Sequence, residues 1–168
     1  MTLKVAASIL VMMAVVGMAR LAGRPYQLRV STLEEWQRLL RHLVPLIEWR
    51  RVPLGVALRE ASHGLRYVHA PMSGLARALE KPDSDFRQAW AAVLEDQAGL
   101  WEDDRLALAS LGETLGASDV SFQRDHLLAA QADLDRLVGE ARLRLSKDGR
   151  LFPALISAAG VMVVILVL

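Results

Sequence analysis

The sequence predicts an all-helical bundle held between two membrane-spanning helices, and three observations lead there. Leu151–Leu168 is uncharged, and a second apolar run occupies Leu3–Ala22. Between them Leu, Ala, Arg and Glu dominate, all good helix formers. Aromatics make up only 5% of the 168 residues, and no strand-like alternation appears in the middle.

The C-terminal run has just the length a span needs at about 1.5 Å of rise per residue. Arg150 stands at its foot, and Pro153 falls where a first helical turn would tolerate it. Ala154, Ser157, Ala158 and Gly160 are small enough to admit a close helix neighbour. The N-terminal run is bracketed by Lys4 and Arg20, whose stems can lie along lipid while their charges reach headgroups. A cleaved signal peptide competes here: Lys4 supplies an n-region, Val5–Val16 an h-region, and Gly17-Met18-Ala19 a small-x-small site. Charge weighs against it. Arg20, Arg24 and Arg29 follow the first run, and Arg142, Arg144, Lys147 and Arg150 precede the second. Positive flanks stay in the cytoplasm, so both ends place the middle there.

The elements follow in order. Ser31 and Glu34 form a capping box that opens a helix, with Leu33, Trp36, Leu40, Leu43 and Ile47 at helical spacing. Pro45 should kink or split it. Pro53 starts the next helix, with Leu54, Ala57, Leu58 and Ala61 on one face and Gly64 as the stop. His69-Ala70-Pro71 reads as a connector into a short helix, Met72–Glu80. Lys81–Ser84 is a turn, and Asp83 or Ser84 caps a helix to about Gln97. Phe86, Ala89, Trp90, Val93 and Leu94 form its buried face. Glu102–Leu115 is a helix with Leu106, Leu108, Leu111 and Leu115 inward, and Gly116 ends it. Ser118 caps a long helix to about Lys147, where Leu127, Leu134, Val138, Ala141 and Leu145 approach a heptad seam. This gives a transmembrane helix at 3–22, a cytoplasmic bundle at 31–147 and a transmembrane helix at 151–168.

Little chemistry is on offer. Net charge of +1 gives nucleic acid no purchase, and the absence of cysteine excludes disulfides and thiolate chemistry. Phosphate-cradling motifs such as GxxxxGK[ST] and GxGxxG are missing. His42, His63, His69 and His126 are scattered without metal-ligand spacing, so no metal, cofactor or small-molecule substrate is expected. Glu102-Asp103-Asp104 reads either as a carboxylate site or as the first turn of a helix, where negative charge favours the dipole. Trp36 and Trp90 fall on apolar faces. Trp49, beside Arg50 and Arg51, and Trp101 lie near helix ends, where they fill gaps or mark a docking surface. Gly112 lies inside a helix, at a cost of about 1 kcal/mol against alanine, and so announces a close neighbour.

One family resemblance emerges from these pieces. Leu111-Gly112-Glu113-Thr114-Leu115-Gly116-Ala117-Ser118-Asp119, followed by Gln123, resembles the LGxxLGxSDxxxQ segment of stage III sporulation protein AB. Leu46-Ile47-Glu48, then Pro53-Leu54 with Ala57-Leu58, is similar to that family's LExEI…TPLxxAL, and Ala89-Trp90 to its AW. The order of motifs and the terminal apolar runs extend the likeness over nearly the whole chain. Val52 stands where the family has threonine, and Lys147-Asp148-Gly149-Arg150-Leu151 replaces its KMYRxLG.

The resemblance implies a soluble part like the cytoplasmic domain of type II secretion F proteins, a six-helix bundle. It implies a non-enzymatic platform subunit in the mother-cell membrane facing the forespore. Its partners would be membrane lipid and the other stage III sporulation A-operon proteins, including the AA ATPase, which it would couple to the channel. In that setting Glu48, Pro53, Leu54, Gly112, Gly116, Ser118, Asp119 and Gln123 are structural or interaction residues rather than catalytic ones. Gly112 and Gly116 would set the angle between two helices, and Ser118 and Asp119 would open the last one. Two alternatives stay open: an exported, C-terminally anchored helical protein with a cleaved signal, and a generic secretion or pilus platform. Proteins of the second kind usually carry two copies of the domain, more than this chain can hold.

Overall fold

The computed structural model describes residues 2–48, 52–81, 84–115 and 120–167, all helical or connecting, with no strand among them. Six helices follow one another: α1 Thr2–Glu48, α2 Leu54–Ala61, α3 His69–Ala78, α4 Phe86–Asp96, α5 Glu102–Leu115 and α6 Val120–Val167.

The sequence predicts an anchor and a separate bundle helix at each end; the structure joins them. α1 passes through Ser31 without a break, so the Ser31–Glu34 capping box is not formed. Its pattern works only where the preceding backbone leaves the helix, and the good helix formers around Leu28 and Arg29 give no reason to leave it. Pro45 lies within α1 and does not split it. α6 likewise continues past Lys147 and carries Gly149 and Pro153 in its interior.

The chain divides into two compact units. One is Arg29–Gly139; the other combines Met1–Leu28 with Glu140–Leu168. Among the described residues of the second, Gly23 and Ala141 are buried. No helix is long and apolar enough to cross a membrane among the described residues. Most side chains of the runs at 3–22 and 151–168 fall outside those residues.

Within Arg29–Gly139, α2 packs on α3, α3 on α4 and α4 on α5. α1 contributes Leu33, Trp36, Leu39, Leu40 and Leu43 to the core, all fully buried. Leu58, Met72, Leu75, Trp90, Leu108 and Leu111 are buried on the short helices, and Leu127, Leu134, Leu137 and Val138 on α6. Burying a leucine of this kind stabilises by about 2 kcal/mol before entropy is counted. Trp36 and Trp90 meet edge-to-face at 5.6 Å between centroids, with Phe86 5.7 Å from Trp90 on another side.

The short helices begin and end as their backbone chemistry requires. Pro53 O accepts from Val56 N and Ala57 N at 2.9 and 3.0 Å, so proline starts α2 as expected. α2 has no side-chain cap; Val52 supplies no hydroxyl there. Gly64 adopts φ +80°, the left-handed conformation that closes the turn after α2, and Gly99 does the same at +84° between α4 and α5. α3 starts at His69 rather than Met72, with Pro71 in its first turn. α4 is capped by Asp85 rather than Ser84, and Asp83 lies outside the described residues: the Asp85 Oδ1 accepts from Arg87 N at 2.9 Å and Gln88 N at 3.5 Å. Leu106 is 64% exposed, contrary to the inward position expected of it.

Candidate interaction surface

Three polar contacts, none legible in sequence spacing, fix the short helices to α1 and to each other. The first is a buried ion pair. Arg29 Nε and Nη2 each donate to Asp104 at 2.7 Å, a bidentate pair with Arg29 at 2% and Asp104 at 0% exposure. Asp104 Oδ2 also accepts from Trp101 N at 2.9 Å, which closes the first turn of α5. The Arg29 guanidinium lies 4.2 Å from the Trp101 ring centroid, a cation–π contact. So Asp104 does more than favour a helix dipole, and Arg29 is a core clamp rather than a headgroup-facing charge.

The second contact is Glu35. Its carboxylate is buried and accepts from Arg66 N at 3.0 Å, Tyr67 N at 2.7 Å and Val68 N at 3.2 Å. These N–H groups belong to the turn that leads into α3, so a side chain of α1 holds that turn in place. Glu35→Gln puts an amide NH₂ against those donors, and a loss of about 1–3 kcal/mol is expected. Denaturant unfolding of the full chain in detergent measures it; an unchanged midpoint would show that the nest is not stabilising. Gln97 Nε2 ties the same segment to the α4–α5 turn, donating to Tyr67 O at 3.2 Å and Ala98 O at 3.3 Å.

The third is a close approach of α4 and α5. A Cβ built on Gly112 would stand 2.7 Å from Trp90 Cγ, so the indole occupies the space a side chain would need. Trp90 Nε1 donates to Leu108 O at 2.9 Å, one turn before Gly112. The neighbour that the glycine announced is Trp90. Arg105 Nε donates to Leu94 O at 3.0 Å and so satisfies a carbonyl in the last turn of α4.

The residues singled out by sequence divide into three groups. Pro53 is exposed and Leu54 half-buried at the start of α2, away from Gly112 along the α2–α3–α4–α5 series of contacts. Gly112 is buried in the α4–α5 interface. Gly116, Ser118 and Asp119 lie outside the described residues, as do the side chains of Glu48 and Gln123 and all of Trp49. Trp101 is half-buried under Arg29. His63 and His69 approach edge-on at 6.1 Å, and His69 Nδ1 sits 3.1 Å from Ser62 O. Among the described residues no three potential metal ligands come together.

The surface of Arg29–Gly139 carries a more polar groove lined by His42, Pro45, Leu46, Glu60, Ala61 and His63, and two more apolar ones. One groove runs between α4 and α5, lined by Ala91, Leu94, Leu106 and Ala109 with Glu95, Glu102 and Arg105. A second lies between α3 and α4, floored by Pro71, Gly74, Leu75, Ala92 and Val93 and edged by Asp96.

The family model described as stage III sporulation protein AB matches residues 4–168. The chain belongs to the stage III sporulation protein AB family. It is therefore a sporulation protein, and the all-helical architecture with its interlocked α4 and α5 is this member's version of that family. Comparisons with curated proteins and with solved structures return no significant match. The residues most engaged in the fold of this stage III sporulation protein AB member, Arg29, Glu35 and Asp104, lie outside the motifs that carried the family likeness. Glu35 and Asp104 stand beside Glu34 and Asp103, from which sequence alone does not tell them apart.

Proposed function

We propose that this chain is a non-enzymatic platform subunit of the mother-cell sporulation channel, coupling a secretion-type ATPase to the membrane. The two apolar runs span the membrane, and Arg29–Gly139 stands in the cytoplasm as a bundle of the type II secretion F kind. The observation that carries this reading is the family match across residues 4–168, runs and bundle together. The structure adds that α1 and α6 each carry one apolar run and part of the bundle core in a single helix. The α3–α4 and α4–α5 grooves suit docking better than catalysis, because among their described lining residues no histidine, hydroxyl or thiol appears.

Two measurements test the reading. Tagged full chain purified from sporulating cells should bring down the ATPase, and the ATPase should be missing when its gene is deleted. Failure to recover it from the intact strain overturns the coupling. The chain has no cysteine, so Gln88→Cys on α4 gives a single reporter. A membrane-impermeant maleimide should label it only after the cells are permeabilised; labelling in intact cells would place the bundle outside.

A further inference from the structure

Charge is unevenly divided between the two units, although the chain as a whole carries only +1. Residues 1–28 and 140–168 hold seven Lys or Arg and two acids, a net charge of +5. Arg29–Gly139 holds 13 Lys or Arg and 17 acids, a net charge of −4. Within the basic unit the described cations stand beside the apolar runs. Arg24 is exposed on α1, and Arg142, Arg144 and Lys147 are exposed on α6; Glu140 offsets one of these charges. Apolar side chains are exposed among them. Leu21, 56% exposed, precedes Arg24 by three residues and so shares its face of α1. Leu143, 62% exposed, lies between Arg142 and Arg144 in sequence and shares a face of α6 with Lys147, four residues on. The edge of a bilayer satisfies both kinds of side chain at once, leucine among acyl chains and cations among headgroups.

We propose that Arg24, Arg142, Arg144 and Lys147 form a site for anionic phospholipid headgroups, with the acyl chains lying against Leu21 and Leu143. The leucines and the adjoining apolar runs select lipid over other anions, since free phosphate and nucleic acid have no acyl chain to cover them. The positive-inside rule fixes only the side of the membrane on which cations stay. A cluster of four immediately beside a span goes further and discriminates among headgroups by charge. Contacts that Arg142 and Arg144 make within the chain leave that charge in place. The proposal rests on the reading of the two runs as membrane spans, and it names the class of lipid that the chain recognises there.

The test is native mass spectrometry of the full chain, released from detergent in the presence of equimolar phosphatidylglycerol and phosphatidylcholine with identical acyl chains. Phosphatidylglycerol adducts should exceed phosphatidylcholine adducts by at least about ten-fold. The variant Arg24→Gln, Arg142→Gln, Arg144→Gln, Lys147→Gln should lose that preference. The variant Arg24→Lys, Arg142→Lys, Arg144→Lys should keep it, because the site needs charge rather than a particular donor geometry. Removing four exposed charges from the other unit, by Arg59→Gln, Arg77→Gln, Lys81→Gln and Arg87→Gln, should also leave it intact. Equal adducts of the two lipids on the parent, a preference that survives the four-site variant, or an equal loss in the Arg59–Arg87 variant would each overturn the proposal. The parent's adduct ratio alone can do so even where the four-site variant fails to fold. Flotation of the parent on vesicles of phosphatidylcholine alone judges the membrane spans separately. Absence from the floated fraction would overturn the spans, while the headgroup preference stands or falls on the adduct ratio.

Discussion

Asp104→Ala is expected to destabilise the Arg29–Gly139 unit by about 3–5 kcal/mol, and Arg29→Ala by a comparable amount. The size follows from what is left behind. Removing the carboxylate strands a guanidinium that is 2% exposed, and it also takes away the acceptor for Trp101 N. Removing the guanidinium strands a fully buried carboxylate and uncovers the Trp101 ring. Domains of this size are stable by about 5–15 kcal/mol in total, so either variant approaches the limit of folding. The pair itself is not the origin of that stability: Arg29→Met with Asp104→Leu should be closer to the parent than either single variant, since buried ion pairs are often replaceable by packing. Thermal unfolding of the four proteins in the same detergent measures this cycle. Single variants within about 1 kcal/mol of the parent would show that the charges reach water after all.

Gly112→Ala should cost about 1–3 kcal/mol, although the same exchange in an open helix gains about 1 kcal/mol. Here the clash decides the sign. The new methyl would stand within 2.7 Å of Trp90 Cγ, and the indole can yield only by giving up its bond to Leu108 O and its edge contact with Trp36. Because the cost lies in one pair of residues, Trp90→Leu should make Gly112→Ala nearly harmless. The double variant then loses less than the sum of its parts by about 1 kcal/mol or more. Simple additivity, or a Gly112→Ala protein as stable as the parent, would contradict the interlock.

How far these features were legible depended on the range of the interaction. Pro53 as a helix start, Gly64 as a stop, the bounds of α5 and a neighbour packed on Gly112 all follow from local backbone preferences, and the structure has them. The interior places of Trp36 and Trp90 followed from helical spacing. Local signals misled where two competed. Ser31 and Glu34 match a cap, but the helix formers before them hold α1 together. Asp83, Ser84 and Asp85 can each cap, and Asp85 is the one whose carboxylate reaches Arg87 N and Gln88 N. Leu106 has the spacing of a core residue, yet it turns toward the groove.

The sequence by itself determined the helical class, the starts of α2 and α5, the apolar runs and the family, because each rests on composition, on period or on motifs read in order. Only the tertiary structure decided which of several similar acids became structural. Asp104 rather than Asp103 meets Arg29 across 75 residues of chain, and Glu35 rather than Glu34 accepts from the turn before α3, more than 30 residues away. Neighbouring residues on a helix point about 100° apart, so the direction of a side chain, and not its identity, separates a buried partner from a solvated charge.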